Sequence, residues 1–221
     1  MRGGGDRRLT QRVRTTRSRT AGQARWLERQ LNDPYVARAK DAGLRSRAAF
    51  KLLELDAKFK LLKPGQRVVD LGAAPGGWTQ VAVQKGAGRV VAIDLLPVEP
   101  IPGAEMLQGD FLAPEAPDRV RAALGGPADL VLSDMAANTT GHAATDHLRI
   151  MGLAEAALDF ALSVLAPGGA FVCKLFQGGG EREFQALLKT HFAQVRHAKP
   201  PASRKDSAET YVVAQGFRKA E

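Results

Sequence analysis

The apolar positions of this chain follow two alternating spacings along its length. Short runs rich in Val, Ile, Leu and Ala, several of which end in an acidic residue, alternate with segments whose apolar residues recur every three or four positions. The first pattern is typical of buried strands and the second of amphipathic helices, so their alternation predicts an α/β protein with a largely parallel sheet. The predicted strands are 68–70, 89–94, 104–108, 128–134, 170–176, 193–199 and 210–217. The predicted helices lie within 23–42 and over 46–62, 79–85, 116–124, 146–165 and 181–191.

The last two predicted strands have no helix between them, because residues 200–208 are polar and basic. Strands joined without a crossover helix must pair antiparallel. We therefore expect the Rossmann-like fold of the methyltransferase variant of doubly wound proteins, with a seven-stranded, mostly parallel sheet and a terminal antiparallel strand.

The first predicted strand runs directly into a glycine-rich turn. Gly72, Gly76 and Gly77 allow the backbone to turn sharply and to approach a ligand closely. In the dinucleotide-binding fingerprint G-x-G-x-x-G a second glycine admits the pyrophosphate, and here Ala74 occupies that position. The turn therefore favours a cofactor without phosphate, such as S-adenosylmethionine (SAM), over NAD or FAD. An ordinary β-turn-α connection is the alternative.

Acidic residues occur at the ends of three successive predicted strands. Asp94 ends the second strand, Asp110 follows the third, and Asp134 ends the fourth. Because parallel strands end at one edge of the sheet, these carboxylates are expected near the glycine turn. Asp94 is a candidate acceptor for the ribose hydroxyls of an adenosine cofactor, and Asp110 for the adenine amino group. Surface or capping carboxylates remain the alternative for both.

Lys174 interrupts the apolar run 170–176. A strand buried on both faces offers an ammonium group little solvation, so Lys174 needs a carboxylate partner or a chemical role. Asp134, at the end of the neighbouring strand, is the expected partner. A lysine that reaches out to water is the alternative.

The helix predicted over 46–62 carries a second lysine of interest. Ser46 is its predicted N-cap. Arg47 and Lys51 are four residues apart and so share one face of the helix. By spacing alone, Lys51 also fits a solvated surface lysine.

The positive charge of the chain is concentrated in its N-terminal third. The 221 residues carry a net charge of +9. Residues 1–69 contain 18 Lys/Arg and 6 Asp/Glu, a net of +12, whereas residues 70–221 carry a net of −3. A polyanion bound through the N-terminal third gains from counterion release, so nucleic acid is the favoured partner. A tail that only aids solubility, or that binds an anionic membrane surface, is the alternative.

Composition excludes several classes of protein. No apolar run approaches the length of a membrane span, and the arginine-rich N-terminus lacks the apolar segment of a secretory signal. Cys173 is the only cysteine, and the four histidines are scattered, so neither a disulfide framework nor a metal site is expected. We expect a cytoplasmic protein that requires no membrane.

The sequence also narrows the acceptor of a methyl group. Methylation of an aromatic amino nitrogen usually requires Asn/Asp-Pro-Pro-aromatic after the fourth strand, where this chain has Asp134-Met135-Ala136-Ala137. Methylation of a pyrimidine carbon requires a cysteine nucleophile, but Cys173 lies in the middle of a predicted strand and fits a core residue. An alcohol acceptor remains.

Six ordered motifs together resemble one family, the FtsJ/RrmJ (RlmE) ribosomal RNA 2′-O-ribose methyltransferases. They are Ser46-Arg47-Ala48-Ala49-Phe50-Lys51-Leu52, Asp70-Leu71-Gly72-Ala73-Ala74-Pro75-Gly76-Gly77-Trp78, Gln108-Gly109-Asp110-Phe111, Ser133-Asp134-Met135-Ala136, Lys174-Leu175-Phe176-Gln177-Gly178 and Ser203-Arg204 with Glu209-Thr210-Tyr211. The similarity covers residues 25–218. It implies SAM-dependent methylation of the 2′-hydroxyl of a uridine in large-subunit rRNA, on the assembled or nearly assembled 50S subunit, by an enzyme expected to act as a monomer.

The resemblance also assigns site residues. The family's Lys-Asp-Lys-Glu tetrad corresponds to Lys51, Asp134, Lys174 and Glu209. Its SAM contacts correspond to Gly76, Trp78, Asp94, Asp110 and Asp134. Ala137 departs from the family, which usually has proline there. Residues 1–20 lie outside the similarity, and their composition predicts a disordered basic arm. The rest of the chain is divided into an N-terminal helical RNA-binding segment over 21–63 and a SAM-dependent methyltransferase domain over 64–221.

The chemistry of methyl transfer to an alcohol suggests roles for the tetrad. A ribose hydroxyl is a poor nucleophile at neutral pH, so the protein must align it with the methyl donor and remove its proton. Our hypothesis makes Lys174 the proton acceptor, Asp134 its positioner and a cofactor contact, and Lys51 and Glu209 orienting partners. A methyltransferase for tRNA or an mRNA cap, or a ribosome-assembly factor that has lost activity, is the rival interpretation.

Overall fold

The computed structural model describes residues 24, 27–28, 30–137, 140–178 and 180–218. The helices are α1 (Pro34–Asp41), α2 (Ala48–Phe59), α3 (Gly77–Gln84), α4 (Ala116–Leu124), α5 (Ala143–Val164) and α6 (Glu181–His191). The strands are β1 (Arg67–Leu71), β2 (Arg89–Asp94), β3 (Ala104–Gln108), β4 (Ala128–Ser133), β5 (Leu165–Phe176), β6 (Phe192–Ala198) and β7 (Glu209–Phe217). The predicted alternation of strands and helices is confirmed.

The strands form one seven-stranded sheet in the order β3-β2-β1-β4-β5-β7-β6. Strands β1 to β5 pair in parallel, and β7 lies antiparallel between β5 and β6. This confirms the predicted fold class and its terminal antiparallel strand. The strand order reverses between β1 and β4, and in such a sheet the crevice beyond the carboxyl ends of these strands is the expected ligand site.

Two apolar clusters cover the two faces of the sheet. Alternation along β1 sends Val68 to one cluster and Val69 to the other. Helix α2 contributes Leu52 and Leu55 to the same cluster as Val68. Helix α2, which lies in the predicted N-terminal segment, therefore packs against the sheet of the predicted methyltransferase domain. The predicted arm over 1–20 lies outside the described residues.

The predicted start of α2 is wrong. Arg47, rather than Ser46, occupies the N-cap position, and no side chain caps this helix end. The Ser46 hydroxyl is instead buried without a hydrogen-bond partner among the described residues. A Cβ atom added to Gly77 would lie 2.5 Å from this hydroxyl, so the start of α3 packs tightly against the segment before α2.

Strand β5 begins earlier than its apolar run indicated. Leu165 pairs with Ala128, and the register then shifts before Leu130 pairs with Ala170. The strand therefore extends through residues 166–169, which lie between the helix predicted over 146–165 and the strand predicted over 170–176. Cys173 on this strand is buried, which confirms it as a core residue, and burial raises the pKa of its thiol to about 12.

No helix in the described part of the chain is long and apolar enough to cross a membrane.

Candidate active site

A cleft of about 390 Å³ lies at the carboxyl ends of the central strands. Asp94, Asp110 and Asp134 all line it, together with the glycine turn at Gly72 and Ala74. The apolar side of the cleft is formed by Ile93, Leu95, Leu96, Phe111, Leu112, Met135, Ala136 and Leu153. The lining thus contains three carboxylates and neither lysine nor arginine. This donor set fits a cationic, phosphate-free cofactor such as SAM, since a nucleotide phosphate would meet only negative charge here.

Asp94 shapes the cleft through backbone contacts. One carboxylate oxygen accepts the amide of Ala74 at 2.9 Å, and the other accepts the amide of Leu96 at 2.8 Å. Asp94 therefore joins the glycine turn to the loop after β2. Each oxygen retains a second lone pair that could accept a ribose hydroxyl.

Asp110 is held more loosely than Asp94. It is exposed at the cleft rim, and one of its oxygens accepts the amide of Leu112 at 2.9 Å. Leu95, Leu96 and Leu112 are also more than half exposed around this rim. Exposed apolar side chains beside a carboxylate are suited to the flat, partly polar face of an adenine ring.

The structure does not bring two of the expected SAM contacts to the cleft wall. Trp78 is buried, donates its indole N–H to the carbonyl of Ala48 at 2.8 Å, and packs against the ring of Tyr211. Gly76 adopts a φ of 103°, and an added Cβ would lie 2.9 Å from Ile101 on the side of the β2–β3 loop. Gly76 and Trp78 therefore support the glycine turn without lining the cleft, because the chain after Ala74 turns away into α3.

Lys174 and Asp134 meet as the sequence predicted. The Lys174 ammonium donates to the backbone carbonyl of Asp134 at 2.6 Å and lies 3.1 Å from its carboxylate. Only 6% of the Lys174 side chain is exposed, so the alternative of a lysine reaching into water is wrong. The carboxylate supplies the compensation that a buried ammonium requires.

Lys51 and Glu209 form the second half of the tetrad. The Lys51 ammonium lies 2.8 and 2.9 Å from the two carboxylate oxygens of Glu209. The hydroxyl of Ser203 also donates to Glu209 at 2.8 Å. The solvated-lysine interpretation of Lys51 is therefore wrong, since 88% of this side chain is buried beside a carboxylate, with 12% exposed.

Tyr211 connects the two halves of the tetrad, a contact that was not predicted. Its hydroxyl donates to the Asp134 carboxylate at 2.8 Å and accepts from the Lys51 ammonium at 3.1 Å. The sequence did carry one signal for it: strand alternation places Tyr211 on the same face of β7 as Glu209. Burial, together with the charges of Asp134 and Glu209, raises the pKa of Tyr211 well above its ordinary value, so this hydroxyl keeps its proton.

The charge state of Asp134 is set by opposing effects. Burial disfavours the carboxylate, but the ammonium groups of Lys174 and Lys51 and the hydrogen bonds from Tyr211 and Lys174 together outweigh it. The pKa of Asp134 therefore lies below its ordinary value. The group is a carboxylate at neutral pH, which suits an acceptor that orients a lysine.

A second pocket, of about 380 Å³, adjoins the other side of the tetrad. Its lining residues are Gln30, Arg47, Ala48, Lys51, Arg204, Asp206, Ser207 and Glu209. Arg47 and Lys51 both line this pocket, which confirms that they share one helix face. Asp134 faces the cleft, Lys51 and Glu209 face the second pocket, and the Tyr211 hydroxyl bridges the two sides.

Arg45 holds the loop that forms the outer cleft wall. Its guanidinium donates to the carbonyls of Glu99 at 2.6 Å and Pro100 at 2.7 Å. Its backbone amide donates to Gln80 of α3 at 2.9 Å. No sequence motif indicated this role, because carbonyl acceptors leave no side-chain pattern.

Asp70, at the end of β1, is buried with only one of its oxygens satisfied. That oxygen accepts the Thr79 hydroxyl at 2.6 Å, whereas the other has no partner among the described residues. Burial, and to a smaller extent the charges of Asp134 and Asp94, raises its pKa from 3.8 to about 7 despite the bond from Thr79.

The raised pKa of Asp70 predicts a specific pH dependence of stability. Between the ordinary pKa of 3.8 and the folded value of about 7, the unfolded chain releases this proton while the folded chain keeps it. The free energy of unfolding should therefore fall as pH rises through this window and level off above it. The variant Asp70→Asn has no such proton, so its free energy of unfolding relative to the parent should rise by about 2 kcal/mol or more from pH 5 to pH 8.

Urea unfolding at a series of pH values checks this difference. Asp118→Asn is the control, because the Asp118 side chain is 82% exposed and should show no such change. If the free energies of unfolding of Asp70→Asn and the parent differ by the same amount at every pH, the prediction is contradicted.

Comparison with known proteins agrees with this fold and site. The FtsJ-like methyltransferase family matches residues 44–217. The Ribosomal RNA large subunit methyltransferase E of Gluconobacter oxydans is 66% identical over 212 residues, covering 96% of this chain and 79% of that protein. The protein of the same name from Paramagnetospirillum magneticum is 64% identical over 222 residues, covering 97% of this chain and 91% of that protein.

A solved structure shows the same architecture. A ribosomal RNA methyltransferase from Plasmodium falciparum superposes with a TM-score of 0.71 at 29% identity, covering 78% of this chain and 98% of that one. Fold, site and matches together define a methyltransferase with a Rossmann-like sheet. The chain belongs to the FtsJ-like methyltransferase family.

Proposed function

We propose that this protein transfers the methyl group of SAM to the 2′-hydroxyl of a uridine in large-subunit rRNA. It acts in the cytoplasm, as a monomer, on the assembled or nearly assembled 50S subunit. The substrate class rests on relatives at 61–66% identity that are named Ribosomal RNA large subunit methyltransferase E. The uridine and the assembled subunit rest on the family resemblance of the sequence motifs.

The observation that carries the proposal is the position of the tetrad between two cavities. The acidic, partly apolar cleft on the Asp134 side has the lining that a sulfonium cofactor requires. The pocket on the Lys51 and Glu209 side contains the cations Arg47 and Arg204, which suit a ribose–phosphate chain. A hydroxyl that enters from the second pocket would meet a methyl donor in the cleft at Lys174 and Asp134.

The residues of this chain supply alignment and proton transfer. Bound SAM supplies a methyl group already activated by its sulfonium, so the reaction breaks a carbon–sulfur bond and forms a carbon–oxygen bond. Lys174 accepts the 2′-hydroxyl proton at Nζ, a role that requires the ammonium beside Asp134 to release a proton first. Asp134 holds Nζ in place through its carbonyl and carboxylate. Lys51 and Glu209 orient the ribose. The Tyr211 hydroxyl fixes the position of Lys51 relative to Asp134, because it hydrogen-bonds to both.

Cofactor contacts follow from the cleft. Asp94 would accept the ribose hydroxyls of bound SAM, Asp110 would accept from its adenine amino group, and Asp134 would be a further cofactor contact in the same cleft. Gly76 and Trp78 do not line the cleft, and they contribute indirectly by fixing the conformation of the glycine turn.

The decisive experiment is transfer of labelled methyl from SAM to large ribosomal subunits, free rRNA and tRNA in parallel. The subunits are taken from cells that lack this modification. We expect label in large subunits, in nuclease-resistant 2′-O-methyl dinucleotides that contain uridine. Label confined to tRNA would retain the chemistry and overturn the substrate. SAM binding without label in any RNA would favour a non-catalytic assembly factor.

A further inference from the structure

Three side chains of α1 and α2 form a cluster outside the tetrad, in which Arg38 is exposed and Tyr35 and Phe50 are half-buried. The guanidinium carbon of Arg38 lies 5.1 Å from the ring centroid of Tyr35 and 4.7 Å from that of Phe50. The two rings are themselves in edge-to-face contact at 5.5 Å. We call Tyr35, Arg38 and Phe50 the Arg38 platform. Two rings at an angle to each other hold the guanidinium plane in one orientation.

Arg38 is exposed and has no charged partner in the described part of the chain. No carboxylate there lies within 4.0 Å of its guanidinium, in contrast to Arg47, which pairs with Asp33. A hydrogen bond to α2 restrains the Tyr35 ring, because the Tyr35 hydroxyl donates to the Glu54 carboxylate at 3.1 Å. Arg38 therefore presents an exposed cationic guanidinium that rests against two half-buried aromatic rings.

The platform is continuous with the pocket beside the tetrad. The guanidinium carbon of Arg47 lies 5.7 Å from the Tyr35 ring on one side, and Arg47 lines the pocket with Lys51 and Glu209 on the other. One side chain thus separates the Arg38 platform from the pocket that receives the target ribose. A strand of RNA that enters this pocket from the side of Arg47 would pass beside the platform.

We propose that the Arg38 platform stacks an unpaired base of the substrate RNA next to the target nucleotide. This inference rests on the proposed function, in which RNA enters through the pocket of Lys51. Single-stranded RNA is recognised largely by stacking of bases on aromatic rings and guanidinium planes. A lysine at position 38 would keep the positive charge but lack the planar guanidinium group. Arg38→Lys therefore separates a contribution of stacking from a contribution of charge.

The test measures binding of the full chain to a short single-stranded oligouridylate and to an abasic oligomer of the same length. Arg38→Lys should bind the oligouridylate about tenfold more weakly and the abasic oligomer as the parent does. Its salt dependence should be unchanged, because the charge is retained. Arg38→Gln should weaken binding of both oligomers and lower the salt slope by about 1.

Arg121 provides a matched control. Its guanidinium carbon lies 5.7 Å from the Phe160 ring, and 41% of its side chain is exposed, but it lies on α4, away from the pocket. Arg121→Lys should bind both oligomers as the parent does. If Arg38→Lys also binds both as the parent does, or loses affinity equally for both, the stacking proposal is overturned.

The proposed function is separable from this result. An effect of Arg38→Lys confined to the oligouridylate, in a protein that labels no ribosomal subunit, supports the platform and overturns the function. Normal labelling of large subunits together with unaltered oligouridylate binding by Arg38→Lys overturns only the platform. Thermal unfolding of each variant verifies that the exposed substitutions leave the fold intact.

Discussion

Replacement of Lys174 by alanine should reduce methyl transfer by about 10³-fold or more while SAM still binds, if Lys174 is the proton acceptor. The structure places its ammonium 2.6 Å from the Asp134 carbonyl and 3.1 Å from the Asp134 carboxylate, and Asp134 lines the proposed cofactor cleft. Removal of a positioned base affects the chemical step, so kcat should fall with little change in the Kd for SAM. Single-turnover transfer and calorimetric titration of SAM measure the two effects separately.

Alanine also removes the main cation beside a buried carboxylate, which by itself destabilises the fold. Lys174→Arg resolves this ambiguity, because arginine keeps the charge next to Asp134 but does not accept a proton. Lys174→Arg should therefore be as inactive as Lys174→Ala. Substantial turnover by Lys174→Arg would contradict the proton-acceptor role. It would indicate that Lys174 acts only through its positive charge.

A lysine outside the site provides the control for this series. Lys85 also pairs with an aspartate, at 2.9 Å from Asp56, but its side chain is 44% exposed and distant in the fold from the tetrad contacts. Lys85→Ala should keep normal turnover. A loss of activity in this variant would show that lysine–aspartate pairs affect activity through stability alone.

Asp94→Asn should weaken SAM binding by about 100-fold, the second large effect that we expect. Both carboxylate oxygens of Asp94 accept backbone amides, from Ala74 and Leu96, and an asparagine accepts only one of them while its own NH₂ opposes the other. A hydrogen bond to a charged acceptor contributes about 1.5–3 kcal/mol, which is about one to two factors of ten. Loss of the proposed ribose contact, together with the disturbed loop at Ala74 or Leu96, therefore accounts for the expected change.

Calorimetric titration of SAM measures this loss, and kcat at saturating SAM should remain close to that of the parent. Asp110→Asn should have a smaller effect, since Asp110 is exposed and accepts one amide, from Leu112. Asp118→Asn on α4 should have none. Near-normal SAM affinity in Asp94→Asn would contradict the assignment of Asp94 to the cofactor site.

Chain periodicity predicted the elements that build the site. Apolar alternation and the helical spacing located most strands and helices within a few residues, because these patterns reflect which face of each element is buried. The acids at 94, 110 and 134 were expected at one edge of the sheet, since parallel strands all end there, and all three line one cleft. The pairing of Lys174 with Asp134 followed from the same rule and from the cost of burying a charge.

Contacts between distant segments were beyond the reach of such patterns. The antiparallel register of β5 and β7 sets Tyr211 opposite Lys174 and Glu209 opposite Phe176, which brings the Tyr211 hydroxyl between Lys51 and Asp134. Trp78 was assigned by resemblance to the cofactor, but its side chain turns into the core against Tyr211. The Arg45 guanidinium donates to backbone carbonyls, which any sequence provides.

The sequence by itself thus determined the order of elements, the edge of the sheet that holds the site, and most of the charged residues at that edge. The tertiary structure alone decided which of those side chains contact one another, and it added Tyr211, Arg45 and the Arg38 platform. The physical reason is that burial patterns are local properties of each strand or helix. Strand register and helix packing join residues that are far apart in the chain, such as Lys51 and Tyr211 at 160 positions, and are fixed only when the whole core forms.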